Sequence, residues 1–158
     1  MSSVNGIPDH IPLHVVALLD RTRRRYRAEM TELSGPWRAG LSSQELRDAA
    51  AALGGSHFRL LSHIPPGGAR VTDIAELAGI TKQSAGTSLM ALAEWGLVET
   101  VPDQADRRTR LTRRTPLGDE MAAAVDQLVA QVERRWRKSV GAEDYATLRR
   151  ALITIVTN

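Results

Sequence analysis

The sequence has no cysteine, six aromatic residues and only two lysines, Lys82 and Lys138. Without cysteine the chain cannot form disulfides, bind zinc through thiolates or sense oxidants with a thiol. With so few aromatics, its core must rest on Leu, Val, Ile, Ala and Met. No apolar run approaches the roughly 18 to 20 residues of a membrane span. The N-terminal residues MSSVNGIPDH lack the basic-then-apolar order of a signal peptide, so a cytoplasmic location is expected. There is no Gly-rich phosphate loop, no Gly-x-Ser-x-Gly elbow and no His-Glu-x-x-His helix. Ser, His and Asp occur in no catalytic arrangement, and neither an enzyme nor a cofactor is expected.

What is present is an ordinary globular composition: 158 residues, 42% hydrophobic and 25% charged. That length suits a single domain with its own core. Net charge is +3 and the pI about 9.9, carried almost wholly by arginine. Arginine's planar fork suits phosphate and guanine, so the positions of the arginines matter more than their number.

The expected fold is mainly α with a small β-wing: a winged helix-turn-helix core flanked by N- and C-terminal helices. Residues 1–9 read as a loose arm. From His10 to about Leu33 apolar residues recur at three- and four-residue spacing, an amphipathic helix stopped by Ser34-Gly35-Pro36. Ser42 with Glu45 reads as a capping box that opens a short helix through Ala52. A further helix covers Ser56 to Ile64, and Pro65-Pro66-Gly67-Gly68 breaks the chain. Thr72 is the expected cap of a helix over Asp73–Ala78 with Ile74, Leu77 and Ala78 inward. Gly79 permits a tight turn, Ile80 plugs it, and Thr81 caps a second helix to about Trp95. Two short helices joined by a Gly-containing turn are the helix-turn-helix signature.

Gly96 suits a left-handed helix end. Leu97–Val101 alternates like a strand, 102–106 is turn chemistry, and Arg108–Thr115 reads as the return strand. Helical spacing resumes at Leu117, Met121, Val125, Leu128, Val132, Trp136 and Val140. After Gly141 a last helix carries Tyr145, Leu148, Leu152 and Ile155. The expected division is 10–52 for N-terminal dimerisation helices, 53–116 for the DNA-binding core and 117–158 for C-terminal dimerisation helices. The outer helices have apolar stripes that one small core cannot cover, which favours pairing of two chains.

In the second helix of the turn motif, Ala85, Leu89 and Leu92 face inward. Thr81, Lys82, Gln83, Ser84 and Thr87 are left outside in the first two turns, the part of a recognition helix that enters the major groove. Gln83 suits adenine, Lys82 a phosphate or guanine, and Ser84 and Thr87 phosphates or base edges. Gly86 costs about 1 kcal/mol relative to Ala in a helix, which calls for close approach to DNA or to a neighbouring helix. The bland alternative is a capped surface helix in a bundle. The hairpin argues against it: Arg107, Arg108, Arg110, Arg113 and Arg114 contain no acid among them, a one-sign cluster suited to a polyanion. A protruding arginine fits a narrow minor groove. Asp106 is expected to brace an arginine.

Leu77-Ala78, Gly79-Ile80-Thr81-Lys82-Gln83-Ser84, Gly96-Leu97-Val98-Glu99 and Asp103-Gln104-Ala105-Asp106-Arg107-Arg108 resemble the winged-helix core of the MarR family of bacterial regulators. The resemblance is specific from about Leu53 to Gly118. It implies a homodimer on a pseudo-palindromic double-stranded DNA operator, with recognition helix Thr81–Glu94 and Arg108 in the minor groove. It also implies repression relieved by a small anionic or aromatic effector, for which Tyr26, Trp37, Phe58 and Trp136 are candidate lining, and equally candidate core. Two departures stand out. The usual Leu-Thr-x-x-Gly that closes the wing reads Arg114-Thr115-Pro116-Leu117-Gly118, and Thr87 stands where an arginine is common.

Weaker features are read blandly. Arg21, Arg23, Arg24, Arg25 and Arg27 spread around their helix as a solvated face. His10 and His14, four apart with Asp9 nearby, have the spacing of a metal pair but are not taken as one. His57 and His63 read as half-buried helix residues. The rival function is a winged helix that binds DNA without reading sequence, or binds protein.

Overall fold

The computed structural model describes residues 3–4 and 7–8 for their backbone, and 14–106 and 108–157 in full. Nine elements follow an N-terminal pair of two-residue strands, β1 (Ser3–Val4) and β2 (Ile7–Pro8), which pair antiparallel where the sequence suggests a loose arm. They are α1 (Val15–Ala39), α2 (Gln44–Ala52), α3 (Gly55–Ser62), α4 (Val71–Ala78), α5 (Lys82–Glu94), β3 (Val98–Pro102), β4 (Arg110–Arg114), α6 (Pro116–Val140) and α7 (Ala142–Thr157). The chain divides into two compact units, one of residues 36–129 and one of 1–35 with 130–158.

The 36–129 unit holds the principal core. Leu46, Leu60, Leu61, Ile64, Ile74, Leu92, Leu97 and Met121 are almost wholly buried, and Phe58, Leu89 and Val125 pack with them. These positions come from α2, α3, α4, α5 and α6 and from the turns after α3 and α5, so each amphipathic stripe points to one cluster. At about 25 cal/mol per Å² of apolar surface, such side chains stabilise the fold by roughly 1.5–3 kcal/mol each. β3 and β4 pair antiparallel with Val98 opposite Arg114 and Pro102 opposite Arg110. Ala69 adds a one-residue third strand by exchanging both backbone hydrogen bonds with the buried Thr112.

Several local expectations are corrected. Pro36 does not stop α1: the helix runs on to Ala39 with Pro36 inside it. Proline there removes a helical hydrogen bond, but tertiary contacts hold the last turn. The Trp37 indole donates to the Ala124 carbonyl at 2.9 Å and packs edge-on against Phe58. The cap of α2 is Ser43, which accepts the Leu46 N–H at 3.2 Å, and not Ser42, which reaches Glu120 instead. Glu45 then stands one position too early to complete a capping box. Helix α4 begins at Val71 after Arg70, so Thr72 lies inside it and hydrogen-bonds Asp73. Ile74 is buried and Ala78 packs against the core as expected, but Leu77 is 63% exposed, because Ala75 takes its place on the inward face.

In the other unit α7 has no buried residue, and Val15, Val16, Leu19, Leu148, Ile155 and Val156 are exposed. Tyr26 and Trp136 pack edge-on with ring centres 6.3 Å apart. The Glu29 carboxylate accepts from the Trp136 indole and from Arg25, each at 2.9 Å. Those two hydrogen bonds, the indole's first, hold its pKa below the usual carboxylate range. Among the described residues no helix is long and apolar enough to cross a membrane.

The tightest backbone approach joins the wing to the first turn of α6. A Cβ added to Gly118 would clash with the Leu97 carbonyl oxygen, which is backbone and cannot move aside. Gly118→Ala is therefore expected to cost about 2–3 kcal/mol or more, read as a lowered midpoint in urea unfolding. A midpoint within error of the parent would show that the junction relaxes freely.

Candidate nucleic-acid interface

Helix α5 starts where Thr81 caps it. Thr81 Oγ accepts the Ser84 N–H at 3.1 Å and its hydroxyl donates to Ser84 Oγ at 2.9 Å. Gly79, the C-cap of α4, is left-handed at φ 64°, and Ile80 N–H bonds back to Ala75 while its side chain packs on the core. A β-carbon at Gly79 would meet nothing, so it is the backbone angle that calls for glycine. Ala85, Leu89 and Leu92 are buried as expected. Thr81, Lys82, Gln83, Ser84 and Thr87 are all exposed.

The exposed turn is prepared for an anion. It has no acidic residue in its first turn and carries Lys82 at the helix start, where the helix dipole is positive. The Ser84 oxygen accepts from Thr81, which leaves its own proton free to donate outward. The Thr87 hydroxyl donates instead to the Gln83 carbonyl at 3.2 Å, so its oxygen faces out as an acceptor. Gly86 lies on the same side as Gln83 and Thr87, and a Cβ there would meet no atom within 4 Å. No neighbouring helix among the described residues requires that glycine.

The wing is closed by Asp106. Its Oδ1 accepts the backbone N–H of Arg108 at 3.0 Å and its Oδ2 accepts the Thr109 hydroxyl at 2.8 Å. Asp106 thus braces the backbone of the turn and not an arginine side chain, as the sequence suggested. A short carboxylate two residues before an N–H closes an Asx turn more readily than it reaches a guanidinium. Arg70 donates to Thr109 Oγ at 3.4 Å, which makes a chain Arg70–Thr109–Asp106 across the base of the loop. The Thr109 and Arg108 hydrogen bonds, with the Arg70 charge behind them, hold the Asp106 pKa below its ordinary value. Arg70 and Thr109 were not legible as site residues; the one sequence signal is a threonine three residues after the aspartate.

The arginine cluster is smaller than its sequence. Arg113 pairs with Glu99 across the ribbon at 2.8 Å, and Arg114 pairs with Asp119 at 2.7 Å and reaches the Leu61 carbonyl. Acids outside the 107–114 run meet both, so the one-sign reading fails for that pair. Arg108 and Arg110 are exposed and have no acidic partner among the described residues. Arg107 lies outside the described residues, as do Asp9 and His10; the His14 ring accepts the Ala17 N–H at the start of α1. His57 likewise caps a helix through Gly54 N–H. Of the four aromatics considered for an effector, Trp37 and Phe58 pair in one unit and Tyr26 and Trp136 in the other.

Because the Asp106 pKa is lower in the folded turn than in the unfolded chain, its brace is fully present above the ordinary carboxylate pKa of about 4. It is lost as pH falls through the lowered value. The Arg108 amide should therefore keep its hydrogen-exchange protection on acidification to the ordinary carboxylate range and lose it below. Asp106→Ala should lack that protection at every pH, and equal protection in parent and variant would show that the brace does not order the turn.

Residues 53–109 match the sequence profile described as the MarR family. No curated protein has a significantly similar sequence. Among solved structures, CouR from Rhodococcus jostii RHA1 bound to p-coumaroyl-CoA superposes with TM-score 0.72 at 17% identity, over 94% of this chain and 95% of that one. The transcriptional repressor CouR bound to a 23-mer DNA duplex gives TM-score 0.70 at 25% identity, over 90% and 92%. The reduced form of MarR from E. coli gives 0.70 at 21%, over 94% and 98%. With its capped α5 start and its Asx-braced wing, the chain is similar to the MarR family over residues 53–109.

Proposed function

We propose that the protein is a sequence-specific, double-stranded-DNA-binding transcriptional regulator of a bacterial cytoplasm, acting as a homodimeric repressor and not as an enzyme. The observation that carries this reading is the pairing of an acid-free, exposed α5 start with a braced wing that presents Arg108 and Arg110 without acidic partners among the described residues. Lys82, Gln83, Ser84 and Thr87 are assigned to the major groove, Gln83 as the base reader. Arg108, with Arg107 and Arg110, is assigned to the minor groove and phosphates. Two exposed apolar faces, on α1 around Val15, Val16 and Leu19 and on α7 around Leu148, Ile155 and Val156, are assigned to the second copy. Their exposure is what a monomer would not maintain. DNA binding by CouR and its complex with p-coumaroyl-CoA support operator binding relieved by a small anionic or aromatic molecule, with Tyr26 and Trp136 as the aromatic pair offered to it.

Arg108→Ala should weaken operator binding about tenfold or more and lower its salt dependence by about one counterion. Gln83→Ala should lose about 1–3 kcal/mol on the specific site and far less on a scrambled duplex, in fluorescence anisotropy on both. Equal losses on the two duplexes would instead favour a winged helix that does not read sequence. Gly86→Ala offers a sharper test because two readouts move in opposite directions. The folded chain should gain up to about 1 kcal/mol in helix stability, while DNA affinity falls as the added methyl meets the duplex. Unchanged affinity would remove the close approach that Gly86 is assigned.

A further inference from the structure

We infer that Met90 is a base-reading residue: with the bare backbone of Gly86 it forms an apolar notch that takes the C5 methyl group of a thymine in the major groove. This role rests on the assignment of α5 to the major groove, and adds to it a residue and a base that the polar side chains of the helix do not account for.

Met90 is 67% exposed, the most exposed large apolar side chain of the unit 36–129 among the described residues. It stands seven, four and three residues after Gln83, Gly86 and Thr87 on one continuous helix, so it shares their outward face. Ala85, Leu89 and Leu92 form the buried face on the other side. The other exposed side chains of α5 up to this point, Lys82, Gln83, Ser84 and Thr87, are all polar. One turn beyond Met90, Glu94 brings a carboxylate to the same face and closes the stretch that suits a polyanion. An exposed apolar side chain is common by itself, and Leu77 on α4 is one. Met90 differs in its place, in line with Gln83 and Thr87 and one turn after a glycine.

That glycine shapes the notch. A methionine side chain in a helix leans toward the helix N-terminus, over the turn before its own Cα. For Met90 that turn begins at Gly86. A β-carbon built on Gly86 meets no atom within 4 Å, so the Met90 side chain borders that space without filling it. The space a glycine leaves is the size of one methyl group. Its floor here is bare backbone and its wall is a flexible, polarizable thioether that adapts to an apolar partner. Methionine has no strong donor or acceptor, so it does not read a hydrogen-bonding edge. Of the groups that base pairs present in the major groove, the apolar one is the thymine methyl. Seating that methyl against Met90 takes apolar surface of both out of water.

The test starts from duplexes that the parent protein selects from a random pool. The pool holds no methylated cytosine, so thymine is its one source of a C5 methyl. In the enriched duplex each thymine is replaced in turn by uracil, which removes the methyl and keeps the hydrogen-bonding edge. Affinities are read by fluorescence anisotropy. At one thymine position uracil should weaken parent binding about fourfold, the worth of burying one such carbon. Met90→Ala should bind the thymine duplex about fourfold more weakly than the parent and no longer distinguish thymine from uracil there. Met90→Leu, which restores an apolar wall, should restore the distinction. Leu77→Ala should match the parent throughout. Circular dichroism confirms that each variant is folded, and truncating so exposed a side chain as Met90 opens no cavity. The methyl-reading role is overturned if no uracil weakens the parent, if Met90→Ala keeps every uracil penalty of the parent, or if Leu77→Ala loses the same one. A pool from which the parent enriches no duplex would overturn the sequence-specific reading itself, so the two failures separate at the selection step.

Discussion

The contact on which the winged-helix unit depends is the seam where the end of α5 meets the start of α6. The Leu97 carbonyl accepts the Thr115 N–H at 3.1 Å, and the Cα of Gly118 lies against the same carbonyl. The Thr115 hydroxyl donates to the Gly96 carbonyl at 2.6 Å and accepts the Gly118 N–H at 3.1 Å. One threonine thus ties the left-handed exit of α5 to the entry of α6. β3, β4 and the turn between them join those two points. Their direction, and with it the direction of Arg108 and Arg110, is set at this seam.

The seam explains why the wing can be long without being loose. Below its tip, Thr112 pairs with Ala69, and Gly68 leaves room for the Thr112 backbone. At its tip, Asp106 satisfies the Arg108 N–H and holds Thr109, which Arg70 holds in turn. Asp103, Asp106 and Thr109 each have a partner from the turn itself or from Arg70, the cap of α4. An isolated two-stranded ribbon is marginal in water; here the start of α4 and the seam supply what the ribbon lacks. A rigid arginine tip loses less conformational freedom on meeting a polyanion than a flexible one does.

The sequence made the turn motif legible because its signals are local. Thr81, Gly79, Gly96 and the inward set Ala85, Leu89 and Leu92 each act within one or two turns of their own position, and each stands where the pattern put it. What the sequence hid depends on partners that the periodicity of one element does not mark. Pro36 reads as a stop until Trp37 is found bonded to Ala124, 87 residues away. Arg113 and Arg114 read as free cations until Glu99 and Asp119 are found beside them. Asp106 was legible as a brace but not as to what it braces, since an N–H two residues on leaves no mark in a pattern of side chains. Arg70 was invisible for the same reason: it enters the site through Thr109, from a different element.

Arg114 shows how a departure from a family pattern can keep the physics of that pattern. An apolar residue at this position would pack by dispersion against the core side of the seam. Arginine lays an aliphatic stem over the same ground and carries its charge to the edge, where Asp119 takes it at 2.7 Å and the Leu61 carbonyl accepts a second donor. The side chain is only 17% exposed, so the substitution depends on that acid: a guanidinium this covered and unpaired would cost more than the lost packing it replaces. Asp119 also stands in the first turn of α6, where a negative charge favours the helix start. One carboxylate thus serves both the wing and α6, and this is why an arginine is tolerated at the closing position of the wing.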